Sequence, residues 1–165
     1  MGFKEKLVRL SELDKYRASH LTAVRDTWIR EMHRLYKEIE NWFSEYLEQG
    51  YMSVEYRELQ YAECEDFFQD TRIMELSLGG GVSVILEPTG TNVIGAFGKT
   101  DLYLRGHKDK KIFLLLIREE GEDERFHWEV WKNRKQREQI LFDKEIFEKI
   151  LDEWLERLAK IQINN

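Results

Sequence analysis

Residues 11–50 read SELDKYRASHLTAVRDTWIREMHRLYKEIENWFSEYLEQG, and the rest of the chain is organised around them. The stretch reads as one long helix or two end to end. Ser11 suits the N-cap, because its hydroxyl can accept from an orphan amide of the first turn. Glu12 and Asp14 add negative charge where the helix dipole favours it. The apolar positions are Leu21, Trp28, Met32, Leu35, Ile39, Trp42 and Tyr46. From Trp28 onward the steps alternate four and three, the spacing of a coiled-coil seam or of a helix laid along a flat partner. Val24, Tyr36, Phe43 and Leu47 widen the stripe, which favours a core-facing helix over a strict two-stranded coil. Gly50 suits the left-handed position that ends a helix.

Length makes this element informative. At ~1.5 Å per residue, residues 12–48 would span roughly 55 Å. A compact domain of this size has a diameter of about 40 Å. The helix must therefore break, project from the body, or pair its free end with another chain. The expected outcome is a break near Ala18-Ser19-His20, where the apolar stripe is weakest, followed by a bend or hairpin. Pairing between copies is the next expectation.

After Gly50 the period changes from helical to alternating. Val54 and Tyr56 share one face, Leu59 and Tyr61 the next, and the slip at Arg57-Glu58 predicts a bulge. An acidic connection, residues 63–70, carries Phe67 and Phe68. Arg72 to Leu78 alternates with Met74, Leu76 and Leu78 on one side, and Gly79-Gly80-Gly81 is a turn or bulge. Val82, Val84 and Leu86 form the next strand. Turn chemistry follows over residues 87–92, which hold the only proline of the chain. Val93 to Phe97 and Thr100 to Leu104 read as two short strands, or one bent at Gly98. Ile112 to Ile117 is apolar without alternation, so both its faces must be covered, by the C-terminal helix, the N-terminal segment or another subunit. Phe126 to Trp131 carries aromatics on both faces. Ile140-Leu141-Phe142 ends the sheet. Asp143 caps a last helix with Phe147, Ile150, Leu151, Trp154, Leu155, Leu158 and Ile161 on one side.

The predicted fold is α+β: a long N-terminal helix, an antiparallel β-meander of six to eight strands and a C-terminal helix. One domain is expected over 1–165, helical at 11–50, sheet at 51–142 and helical at 143–161. Thirty-five per cent charged residues and five tryptophans among 165 residues indicate a folded, soluble protein. The formal net charge of −6 repels nucleic acid and anionic membrane at long range, although local basic patches can still bind. A single cysteine, Cys64, excludes an intramolecular disulfide and suits a reducing cytoplasm. Its neighbours Glu63, Glu65 and Asp66 make it a poor nucleophile. The start of the chain has no apolar run of signal-peptide length, and Lys6 stands where a myristoylation signal wants Ser or Thr. The longest apolar run is far too short to span a bilayer, and no membrane partner is expected.

Candidate chemistry is thin. Gly95-Ala-Phe-Gly-Lys-Thr100 ends like a phosphate-binding loop, but Val93 replaces the leading glycine and a strand pattern follows instead of a helix. Glu87 and Asp101 sit at strand ends as in restriction-type nucleases, but no acidic-x-Lys triplet follows. His20, His33, His107 and His127 lack metal-ligand spacing, so no metal, cofactor or catalytic residue is expected. In a simple meander, basic residues 105–111 and 132–137 lie at one sheet end and acidic residues 118–125 at the other.

These features imply a non-enzymatic cytoplasmic interaction or adaptor domain that self-associates or joins a larger assembly. Trp28, Met32, Leu35, Ile39 and Trp42 are the expected self-association residues. Lys110, Lys111, Arg134 and Arg137 are the expected contacts for a polyanion or an acidic partner. The alternative is an accessory or inactive nuclease relative that binds nucleic acid through the basic end. A further alternative is a small-ligand pocket between sheet and helix, lined by Tyr103, Trp128 and Trp131.

Overall fold

The computed structural model describes residues 2–59, 71–91, 93, 95–131 and 139–163. The order is a 40-residue helix α1 (Phe3–Trp42), a short helix α2 (Ser44–Glu48), seven strands and a C-terminal helix α3 (Lys144–Ile163). The strands are β1 (Ser53–Glu58), β2 (Arg72–Gly79), β3 (Val82–Gly90), β4 (Gly98–Leu104), β5 (Ile112–Arg118), β6 (Phe126–Trp131) and β7 (Ile140–Leu141). They form one antiparallel sheet in sequence order, a simple meander. This is the predicted α+β arrangement, with helices at both ends of the chain and the sheet between them.

Several boundaries differ from the sequence reading. Helix α1 begins at Phe3 with Gly2 as its N-cap, so Ser11 is an interior helical residue. The helix runs unbroken through Ala18-Ser19-His20 and stops only at Phe43. A weak apolar stripe does not break a helix, because none of those residues lacks an amide donor or clashes with the preceding turn. Gly50, at φ +78°, ends the helical segment as its sequence position indicates. The expected bulge at Arg57-Glu58 is absent, and β1 pairs regularly with β2 from Ser53–Ser77 to Glu58–Arg72. Strand β3 runs through Glu87 and Pro88 to Gly90 instead of turning at Glu87, bulging against β4 between Pro88 and Gly90. Val93 and Gly95 to Phe97 are not strand; β4 starts at Gly98. The acidic connection at 63–70, with Cys64, lies outside the described residues.

Both helices lie on one face of the sheet. The core there joins Trp28, Met32, Leu35, Tyr36, Ile39 and Phe43 to alternate strand residues such as Met74, Leu76, Val84, Leu86, Leu102, Leu114 and Leu116. Phe147, Ile150, Leu151 and Trp154 of α3 complete it. Asp143 caps α3 as expected, its Oδ1 accepting from the Ile146 amide at 2.9 Å. Leu155 and Ile161, expected on the buried side, are 41% and 50% exposed. Aromatic edges lock the layers: Trp28 lies 6.0 Å from Trp128, Trp42 5.7 Å from Phe142 and Phe43 5.4 Å from Phe147, between ring centroids.

Gly98 has a specific part in this packing. A Cβ at that position would stand 2.2 Å from the Trp28 ring. The glycine that resembles part of a phosphate loop is therefore the gap in β4 that seats Trp28, the helix's largest fully buried side chain. Thr100, the last residue of that motif, is buried and donates to the Met32 sulfur at 3.2 Å. Tyr36 donates to the main-chain oxygen of Arg72, and burial pushes its phenol far above the ordinary tyrosine range. Tyr56 donates to Glu40 Oε1 at 2.7 Å and is also raised, first by burial and then by that bond.

Candidate interaction surface

The two halves of α1 have different surroundings. Thr27 to Phe43 carries the buried residues, while every residue from Gly2 to Ala23 is exposed. At ~1.5 Å per residue the exposed part reaches about 33 Å beyond the body. It carries Phe3, Leu7, Val8, Leu10, Leu13, Tyr16 and Leu21, all large apolar residues facing water, with Phe3 at 78% and Tyr16 at 69%. Local support is slight: Tyr16 stacks on His20 at 6.3 Å, and Thr22 donates to the Ala18 carbonyl at 3.0 Å. An isolated helix of this length is marginal in water, because helices in proteins draw most of their stability from packing an amphipathic face.

The sequence reading allows the helix to project or to pair its free end. It takes Phe3, Leu7, Val8 and Leu10, however, as a short helical turn or strand covering an edge, and expects association through Trp28, Met32, Leu35, Ile39 and Trp42. Residues 3–10 are instead part of α1. Trp28, Met32 and Ile39 are 0% exposed and Leu35 1%, all within the chain's own core, and Trp42 packs partly buried against it. A face already filled by the sheet has no surface left for a second copy. The signal that could have located the arm was the helical recurrence of Phe3, Leu7 and Leu10 toward the N-terminus.

The sheet face away from the helices is polar and charged in an ordered way. Glu75, Glu87, Asp101 and Glu129 lie there, each 3–6% exposed, around buried Ile85 and Leu115. Glu87 and Asp101 are direct cross-strand partners. The basic turn between β4 and β5 folds back onto this face. Arg105 reaches Glu75 at 3.3 Å, Lys108 reaches Glu87 at 3.2 Å and Lys111 reaches Asp101 at 3.2 Å. Lys99 lies 3.7 Å from Asp101, Arg57 lies 3.7 Å from Glu75, and Tyr103 donates to Glu87 at 2.6 Å. The ammonium groups of Lys99 and Lys111 also lie over Phe113, at 4.5 and 5.7 Å from its ring centre. Among the described residues, charged side chains thus cover the second face of β5, and neither helix does.

That arrangement bears on two of the candidate sites. A carboxylate held by two ammonium groups, as Asp101 is, has little charge left to bind a divalent cation. Among the described residues no group of three or more His, Cys, Asp or Glu is placed to hold a metal ion. The meander does put the β4–β5 turn at the end opposite acidic residues 119–125, as expected. Yet Lys111 is already engaged by Asp101, and only Lys110, on a single 3-10 turn at Lys108–Lys110, has no ion pair among the described residues. Arg134 and Arg137 lie outside the described residues.

The three expected pocket residues do not share a face. Trp128 points into the helix-covered core, whereas Tyr103 and Trp131 alternate onto the other side, because strand side chains reverse at every step. Trp128 does border a cleft of about 240 Å³ between α1 and β6–β7, with Glu31, Arg34, Trp42, His127 and Phe142. The His127 ring lies on the sheet face away from the helices, 3.1 Å from Glu119 and 3.7 Å from Glu129. A more open groove of about 670 Å³ lies between α2, β2 and α3, with an apolar floor that includes Phe43, Met52 and Leu78 and an acidic rim of Glu145, Glu148 and Asp152.

Compared with protein-family models, curated proteins and solved structures, the chain has no match. The α+β domain therefore stands on its own geometry. No helix among the described residues is long and apolar enough to cross a membrane.

Proposed function

We propose that this chain is a non-enzymatic interaction domain that self-associates through the projecting half of α1, either as a homodimer or as a subunit of a larger assembly. One observation carries the reading: about six turns of helix leave the body with an apolar stripe, Phe3, Leu7, Leu10 and Leu21, that is exposed to solvent and on which no described residue outside the helix packs. Exposed apolar surface of this extent marks an association site in a folded protein. The acidic net charge and the paired state of Arg105, Lys108 and Lys111 weigh against the nucleic-acid alternative, since phosphate binding needs unengaged cations.

The test is the solution mass of the full chain by sedimentation velocity across about 1–100 µM, the range where association of moderate affinity becomes visible. The expected result is a dimer or higher species. It should revert to monomer when Leu7 and Leu10 are both changed to Lys, with the far-ultraviolet spectrum of the sheet retained. A monomer at every concentration would sink the reading.

A further inference from the structure

Resting on the self-association reading, we infer that two copies pair their α1 arms antiparallel, about a two-fold axis that passes between Asp14 and Arg17. The arm carries its own seam. Residues 3, 7, 10, 14, 17, 21 and 24 advance by alternating steps of four and three. The seam then takes two successive steps of four, from Val24 to Trp28 and from Trp28 to Met32. A repeated step of four shifts the phase of a heptad pattern. The shift falls where burial begins: Ala23 is exposed, Val24 is half-buried and Thr27 and Trp28 are buried. One seam therefore serves the body and a second one, in a different phase, serves the arm.

The two charged residues of the arm seam choose the orientation. In a parallel pair Asp14 would face the partner's Asp14 and Arg17 would face the partner's Arg17, two like-charge layers in the middle of the seam. Antiparallel pairing sets Asp14 against the partner's Arg17, and the two-fold axis repeats the pair. The same register sets Leu10 against the partner's Leu21 and Leu7 against the partner's Val24, so each layer beyond the charged centre is apolar. Phe3 then arrives beside the partner's Trp28 turn, where the partner's body begins. The overlap is roughly three heptads, the length at which such a pattern specifies a coiled coil. Ser11 and Ala18 on one flank are small and allow close approach. The bodies lie at opposite ends, so neither obstructs the other. Isologous pairing of this kind closes on itself and leaves no free copy of the surface.

Charge reversal in single variants, with mixing and cross-linking beside it, tests the register and keeps it separate from the self-association reading. Asp14→Lys alone and Arg17→Glu alone each place like charges in the central layers, and each variant should dimerise at least ~10-fold more weakly than the native chain. Mixed in equal amounts, the two variants should form a heterodimer, because Asp14→Lys in one chain then faces Arg17→Glu in the other. Recovery on mixing also shows that both variants are folded. As a second measurement, with Cys64 changed to Ser, chains carrying Leu10→Cys and chains carrying Leu21→Cys should cross-link on oxidation only with each other. If the native chain dimerises but the mixture gains nothing, or if Leu10→Cys chains cross-link among themselves, the antiparallel register is wrong while self-association stands. A native chain that stays monomeric defeats both.

Discussion

The two halves of α1 are one continuous helix with one kind of side-chain pattern, yet they have opposite surroundings. From Thr27 to Phe43 the apolar stripe meets Met74, Leu86, Leu114 and Trp128 and disappears from solvent. From Phe3 to Leu21 a stripe of similar composition stays exposed to solvent. Amphipathicity states that a helix needs a cover. What supplies that cover is set by the span of the sheet, and at about 60 Å α1 is longer than the body it packs on. The surplus is the part of the molecule available for association.

Three substitutions break or sharpen that contrast. Trp28→Ala should have the largest effect: a fully buried indole at the start of the packed half is removed, leaving a cavity against Trp128 and Gly98. The expected loss is about 3–5 kcal/mol in urea unfolding. A cost below ~1 kcal/mol would mean that the start of the core is loosely held. Next is Gly98→Ala, which drives a methyl group into the same ring from the sheet side. Overpacking of this sort costs about 1–3 kcal/mol, and a paired Trp28→Leu change should recover part of it. Independent, additive losses in that double variant would show that the two positions are not coupled. The smallest effect belongs to Leu10→Ala in the exposed half. Measured at a concentration where the chain is monomeric, it should shift unfolding by less than ~0.5 kcal/mol, since there is no burial to lose. A large shift in the monomer would show that the arm folds back onto its own body.

The sheet draws the same kind of contrast between its faces. The helix-covered face is apolar and could be listed from the alternation of Met74, Leu76, Val84 and Leu86. The other face holds Glu75, Glu87 and Asp101 under Arg57, Arg105, Lys99, Lys108 and Lys111, and no pattern in the chain pairs these by distance. In the β4–β5 turn, basic residues that look like a free patch in the sequence, Arg105, Lys108 and Lys111, meet carboxylates on β2, β3 and β4. Lys111 is an example: it is one of a run of lysines in the sequence and an ion-pair partner in the fold. The pocket reading failed for a simpler reason. Tyr103, Trp128 and Trp131 were grouped by residue type, and the period of two places Trp128 opposite the other two.

The amino-acid sequence by itself determined the element types, the helix–meander–helix order, the stop at Gly50 and the cap at Asp143. These depend on local periodicity, glycine stereochemistry and short-range hydrogen bonding, all of which are written within a few neighbouring residues. Only the tertiary structure decided which half of the long helix is core and which is arm. It also decided that Gly98 makes room for Trp28, and that the β4–β5 basic turn is neutralised by the sheet. Each of those is a contact between residues far apart in the chain, and its existence depends on register and reach that no local pattern encodes.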